Sequence, residues 1–505
     1  MQTDTTPEPS PHLDPDLCHE RGLELQRLGH TREAAAFYRA ALARDPARPD
    51  TWANLGLTIL AQGLAAEAMY CQREALRLDP ARVEAHNNLG IAAHALNALA
   101  EAENHFRGAL RLCPDHANAT LNLGVTRHSL GYTEEAETLY RRARELGADP
   151  ARAANNLALC LVERDRLDEA EAACRAALAA APGYPEAAVN LAMILLMHGR
   201  FREAWPHYEA RWSVPPLANT ARLPAATRWT GAQDLNGKTI LLQAEQGFGD
   251  TLHFCRYAPM LAARGARVAI SAPGALVRLM KSVPGVAVVA DSGEPLPDHD
   301  FHCPMMSLPM AFDTVLETIP GSVAYLSPPA DEAAAWRDRL AEAEIDGKLK
   351  IGLVWAGGQR PDQPQAAAID RRRSMHLSTL LPLAGVKGCV FVSLQVGLPA
   401  KQAEMVPFPL IHAADGFVDF ADTAALISAL DLVIAVDTAV AHLAGALGKP
   451  VWLLSRFDAC WRWLRGRDDT PWYPTMRLFR QTAPGDWDGV VRRATAALAQ
   501  FQIRD

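Results

Sequence analysis

A 34-residue interval runs through the N-terminal part of this chain and limits what it can fold into more than any other feature. Asn-Leu-Gly or Asn-Leu-Ala starts at Asn54, Asn88, Asn122, Asn156 and Asn190, and Glu-Ala starts at Glu33, Glu67, Glu101, Glu135, Glu169 and Glu203. Four residues before each Glu stands a turn former: Gly29, Gly63, Asn97, Gly131, Asp165 or Gly199. Two motifs held in phase, one five times and the other six, describe repeated units, each a pair of amphipathic helices joined by a turn. Small residues at 56, 90, 124, 158 and 192, and alanines at 68, 102, 136, 170 and 204, allow close helix approach. One such pair cannot bury its apolar face alone, so the units must stack.

The pattern resembles the tetratricopeptide repeat, which Trp52, Leu55, Gly56, Ala68, Ala75 and Pro80 match in the second unit. The resemblance implies six repeats over 15–218, stacked into an all-α superhelix with a concave groove for a protein or peptide. Residues 1–14 are expected to be disordered. Asn54, Asn88, Asn122 and Asn156 recur at one position and either form a ladder that grips a peptide backbone or satisfy hydrogen bonds between repeats.

After "YEARWSVPP" the pattern changes to apolar strands alternating with helices, which indicates parallel sheet covered on both faces. A linker is expected over 219–236, a first lobe over 237–330, a bridging helix within 331–348 and a second lobe over 349–505. Ligands of open parallel sheets sit beyond the carboxyl ends of the strands, and Asp250, Trp355, Gln395 and Asp437 all fall at such ends. Formal net charge is −8 with pI near 6.1, which argues against a nucleic-acid partner. The most apolar stretch is interrupted by Asp431, Asp437, His442 and Lys449, so no membrane span is expected. The nine scattered cysteines and the acidic, Pro-rich start fit reduced thiols in a cytoplasmic protein.

"AEQGFGDTLHFCRY", "IGLVWAG", "FVSLQ" and "DLVIAVDTAVAHLAGALGKPVWLL" together look like bacterial tetratricopeptide-repeat proteins with a C-terminal glycosyltransferase domain. That domain is similar to the ADP-heptose:lipopolysaccharide heptosyltransferases of glycosyltransferase family 9. The resemblance implies a GT-B fold of two Rossmann-like lobes. It also implies transfer, with inversion, of a sugar from a nucleotide-sugar donor to a protein held by the repeats, such as flagellin or another surface protein. The layout further resembles the O-linked N-acetylglucosamine transferases, whose catalytic motifs are not evident here. No cofactor and no metal is expected, the nucleotide sugar being a co-substrate. Two rival readings stand beside this one: a non-catalytic repeat scaffold with a degenerate GT-B domain, and a transferase acting on lipopolysaccharide or another glycan.

Carried onto this chain, the family's catalytic base is Asp250, placed at the start of a helix after the turn that holds Gly247 and Gly249. Bare glycines there would keep an acceptor's approach free of side chains; the bland reading of Asp250 is a helix cap. Asp437-Thr438 opens a second helix with His442 one turn in, and a helix N-terminus with its free N–H groups suits a diphosphate. The family often has Gly after Asp-Thr, whereas Ala439 stands here. Trp355, Gln395 and Arg373 (from "RRRS") complete the candidate donor site. The aromatic and basic stretch "CWRWLRGRDDTPWYP" either closes over the donor or packs the lobes together.

Overall fold

The structure is a computed structural model. It describes residues 13–219, 223–321, 324–342, 347–358, 364–413 and 416–501, so the expected disordered start, parts of the linker and part of the bridging segment lie outside the described residues. The chain divides into two compact units, up to Asn190 and from Leu191 onward.

The first unit is a helical tetratricopeptide array. Its helices are α1 (Pro15–Arg27), α2 (Thr31–Arg44), α3 (Pro49–Ala61), α4 (Ala65–Leu78), α5 (Val83–Ala95), α6 (Leu99–Leu112), α7 (Ala117–Ser129), α8 (Thr133–Glu145), α9 (Pro150–Glu163) and α10 (Leu167–Ala180). The repeated glycine has a direct cause. A Cβ on Gly22, Gly90 or Gly124 would come within 2.7 Å of the ring of Tyr38, Phe106 or Tyr140 on the second helix of the same repeat. Each turn residue four before Glu-Ala has positive φ, including Asn97 at 59° and Asp165 at 58°, which is why Gly, Asn and Asp occupy it. The Glu of Glu-Ala pairs with an Arg of the preceding repeat in Arg39–Glu67 and Arg73–Glu101, whereas Glu135 and Glu203 pair with Arg127 and Arg200 of their own repeats. The pairs between repeats are exposed and contribute little stability each.

The second unit begins within α11 (Pro185–Met197), which with α12 (Phe201–Tyr208) makes the sixth helix pair. The sixth pair is built into the α/β part. Phe201 stacks on Trp472, Trp205 Nε1 donates to the Thr314 carbonyl at 2.8 Å, and Tyr208 is buried.

The first sheet holds β1 (Thr239–Gln243), β2 (Arg267–Ala272), β3 (Val286–Asp291) and β4 (Phe301–Pro304), all parallel in the order β3-β2-β1-β4. Around it lie α13 (Phe248–Phe254), α14 (Ala258–Ala262), α15 (Gly274–Met280) and α16 (Leu308–Ala311). The pattern after Asp250 predicts one helix to 264. The structure breaks it with a 3₁₀ turn at Cys255–Tyr257 just ahead of Pro259, which has no N–H to continue the ladder. Helix α17 (Ala330–Glu342) leads into the second sheet.

That sheet has β5 (Leu349–Val354), β6 (Cys389–Ser393), β7 (Leu410–His412), β8 (Leu432–Val436), β9 (Val451–Ser455) and β10 (Met476–Arg480). Its order is β10-β9-β8-β5-β6-β7, all parallel. Helices α18 (Pro364–Arg373), α19 (Leu381–Ala384), α20 (Phe420–Ser428), α21 (Ala439–Ala446) and α22 (Trp487–Leu498) accompany it. Numbered within the lobe, this is the doubly wound order 3-2-1-4-5-6, whose direction reverses between β5 and β8.

Candidate functional site

The reversal point fixes where a ligand fits: the crevice beyond the carboxyl ends of β5 and β8. Three of the sequence candidates meet there. Arg373, at the end of α18, donates from Nη1 to the Asp437 carbonyl at 2.9 Å and pairs with Asp370 at 2.5 Å. Gly357, just past β5, leaves the room that this guanidinium occupies, since a Cβ there would lie 2.6 Å from Arg373 Nε. Thr438 caps α21 by position only: its side chain makes no capping bond, and its buried Oγ1 has no hydrogen-bond partner. An uncapped helix N-terminus beside a free hydroxyl and a guanidinium is an anion-binding arrangement.

His442 lies on the first turn of α21 and is 7% exposed. Its Nδ1 bonds the Tyr473 hydroxyl at 2.9 Å, and its ring stacks on Trp463 at 5.3 Å. The same Tyr473 hydroxyl lies 2.9 Å from Nδ1 of His253 on α13. One hydroxyl has one proton, so at most one of these histidines accepts and the other donates. Burial pushes both imidazoles well below their ordinary pKa, and the guanidinium charges of Arg462 and Arg256 add to this. Both rings are therefore neutral.

Asp250 approaches from the first lobe. Its Oδ2 accepts from the Gly247 N–H at 3.0 Å, the helix cap that the bland reading foresees. Its Oδ1 accepts from Arg462 Nη2 at 2.5 Å, and Arg462, 7% exposed at its side chain, comes from the stretch between β9 and β10. Cap and ion pair thus engage both oxygens. Gly249 also serves a different end from the one expected. A Cβ on Gly249 would lie 2.9 Å from His442 Cδ2, so this glycine lets α13 and α21 touch rather than clearing a path for an acceptor. The positive φ of the turn belongs to Gln246, at 64°.

Two candidates are committed within the protein itself. Trp355 is fully buried in the core of the second lobe with Leu353, Leu377 and Ile434. Gln395 spends its amide on backbone: Oε1 accepts from the N–H groups of Trp355 and Ala356, and Nε2 donates to the carbonyls of Ala356 and Val396. It ties the ends of β5 and β6 together.

Other residues matter that the motifs did not single out. Glu245, in the turn after β1, is clamped by Arg211 at 2.8 and 3.0 Å and by the Met306 N–H at 3.0 Å. The clamp fixes the turn to the segment that follows α12. Arg278 of the first lobe pairs with Asp419 and Asp422 at the start of α20 in the second. The only sequence hint of Glu245 was its place inside "AEQGFGD", and Arg278 gave none. A cavity of about 590 Å³ between β10 and α22, lined by Trp452, Arg477, Arg493 and Phe501, shares no residue with this site.

In the array, Asn122 Nδ2 donates to Asn87 Oδ1 at 3.0 Å, and Asn190 does the same to Asn155 at 2.8 Å. Asn122 therefore serves bonds between repeats. Asn54, Asn88 and Asn156 are half-buried at the equivalent positions.

Comparison with known proteins agrees with these features. Tetratricopeptide-repeat models match residues 19–82, 65–117 and 121–185, and the model for glycosyltransferase family 9 (heptosyltransferase) matches 415–454, which includes Asp437, Thr438 and His442. The chain thus carries tetratricopeptide repeats in its N-terminal part and a segment similar to glycosyltransferase family 9 near its C-terminal end. Protein FlbA of Caulobacter vibrioides is 27% identical over 335 residues, covering 59% of this chain and 52% of that protein. The chain thus spans about half the length of this curated relative. Among solved structures, the repeat protein TTC0263 of Thermus thermophilus is 26% identical (36% of this chain, 99% of that one, TM-score 0.33). MamA is 25% identical (32% and 93%, TM-score 0.29). Among the described residues, no helix is long and apolar enough to cross a membrane.

Proposed function

We propose that this protein is a glycosyltransferase of GT-B architecture that moves a sugar from a nucleotide-sugar donor to a protein acceptor bound by the repeats. The observation that carries the reading is the N-terminus of α21. It sits at the reversal point of a doubly wound sheet, with the Thr438 hydroxyl free and the Arg373 guanidinium on the Asp437 carbonyl just before it. Such a place suits a diphosphate, and Arg373 supplies cationic help to a leaving nucleoside diphosphate without a metal. Asp250 faces it from the other lobe. In a single inverting displacement the acceptor hydroxyl attacks the anomeric carbon and the bond to the diphosphate breaks. Asp250 takes the hydroxyl proton. Flagellin and other surface proteins are the acceptors to assay first.

The test is a thermal-shift screen of UDP-, GDP- and ADP-sugars. A donor at 100 times its Kd stabilises the protein by about 2.7 kcal/mol, and Thr438→Val should lose most of that shift. No shift with any donor would sink the reading. One observation favours the scaffold alternative: both Asp250 oxygens are engaged. A protein that binds a donor yet neither hydrolyses nor transfers its sugar would be that scaffold.

A further inference from the structure

The stretch from Cys460 to Tyr473 reaches both halves of the site. Arg462 bonds Asp250 of the first lobe. Trp463 Nε1 donates to Asp437 Oδ2 at 3.0 Å, and its ring covers His442. Tyr473 joins His442 to His253. Trp461 wedges this stretch against Trp205 of α12 and packs on Trp472 within it. The backbone is held as well, since Thr470 Oγ1 donates to the Arg462 carbonyl at 3.0 Å. Arg462 itself is sandwiched, with its guanidinium 4.5 Å from the Trp461 ring and 5.5 Å from that of Phe254, and its Nη1 donates to Cys460 Sγ at 3.3 Å. Asp250 is the carboxylate with which its ion pair forms.

We infer that Arg462 is the positioning residue for Asp250, so that the base is aimed only when the stretch 460–473 and α13 are docked. This rests on the glycosyl-transfer reading above. The carboxylate has two anchors. The Gly247 N–H belongs to its own turn and is present in any arrangement of the lobes. The Arg462 anchor comes from 212 residues away, in the lobe that also carries Asp437, Thr438 and His442. A rigid, aromatic-clamped guanidinium therefore ties the aim of the base to the lobe that holds the donor. Lysine keeps the charge but not the planar fork, and methionine keeps only the volume.

The experiment compares Arg462→Met and Arg462→Lys in the full chain, in wild-type and Asp250→Asn backgrounds. Release of nucleoside diphosphate from UDP-N-acetylglucosamine, GDP-mannose and ADP-glucose is the readout. Losing a hydrogen bond to a charged group corresponds to roughly ten- to a hundredfold. Arg462→Met should lower kcat by that factor with donor KM nearly unchanged, and Arg462→Lys should recover part of it. In the Asp250→Asn background, Arg462→Met should cost almost nothing more, because residues that act as a unit are not additive. Should Arg462→Met fail to fold, the Lys variant alone still shows the kcat-against-KM split. Equal turnover in Arg462→Met and wild type, or full multiplication of its loss with that of Asp250→Asn, overturns the inference alone. A wild type that releases diphosphate from none of the donors overturns the glycosyl-transfer reading, and the inference with it.

Discussion

At the scale of single residues, the site is decided by which polar groups remain free. Thr438 keeps an unused hydroxyl, whereas Gln395 has no valence left for a ligand. Asp250→Asn should reduce turnover by about 10²–10⁴, the usual worth of a general base. Asparagine keeps an acceptor oxygen for Gly247 or Arg462 but removes the charge opposite a buried guanidinium, so Tm should also fall; unchanged turnover in a folded variant would remove Asp250 from the mechanism. Thr438→Val should weaken nucleoside diphosphate binding ten- to a hundredfold, roughly 1.5–3 kcal/mol, with little change in Tm. Calorimetric titration with the bare diphosphate checks this. His442 behaves differently from what its motif implies. Stacked on Trp463 and bonded to Tyr473, it belongs to the packing, so His442→Ala should lower the Tm of the ligand-free protein as well as any donor affinity.

Between elements, two contacts set the geometry. In the array, Gly90 faces the Phe106 ring, where a Cβ would sit 2.7 Å away. Helix propensity favours Gly90→Ala by about 1 kcal/mol, while overpacking costs about 1–3 kcal/mol. The ring sits against the helix backbone and is itself 1% exposed, so the clash wins and the variant should be destabilised in urea melts. In the second unit, α13 and α21 meet through His253, Tyr473 and His442. Both imidazoles have folded pKa values well below the ordinary one of about 6.5. The unfolded chain therefore binds protons that the folded one refuses, and stability present above pH 6.5 is lost as pH falls below it. Tm should drop between pH 7 and pH 5, and a His253→Gln, His442→Gln double variant should flatten that slope; an identical slope would assign it to other groups.

For the whole molecule, the division after Asn190 separates the first five helix pairs of the repeat array from the α/β part and the sixth pair built into it. Deleting residues 1–150 leaves α9 from Ala151 and all of α10–α12, including the sixth pair that is built into the α/β part. This truncation should abolish modification of the native protein acceptor while slow donor hydrolysis persists. Full-rate modification of that acceptor by the shortened chain would show that the repeats do not recruit it. Hydrolysis and transfer by mass spectrometry distinguish the two.

The sequence by itself determined the features that repeat or that are local. The 34-residue period follows from contacts between neighbouring units, and the small residue that lets the two helices of a unit approach recurs with it. Alternating apolar strands and helices set the parallel sheets, and Asp250 and Asp437-Thr438 stand at strand ends because those ends follow from the run of the chain. Only the tertiary structure decided what each candidate does there. The Arg462–Asp250 pair spans 212 positions, and the His253–Tyr473 bond spans 220. No periodicity records such partners, because an ion pair or a shared hydroxyl depends on which surfaces finally pack. Trp355 shows the same limit from the other side: its place after a strand is identical for a core residue and a cleft residue, and burial alone distinguishes them. Gly249 reads in sequence as open backbone, yet its missing Cβ is the space that His442 fills.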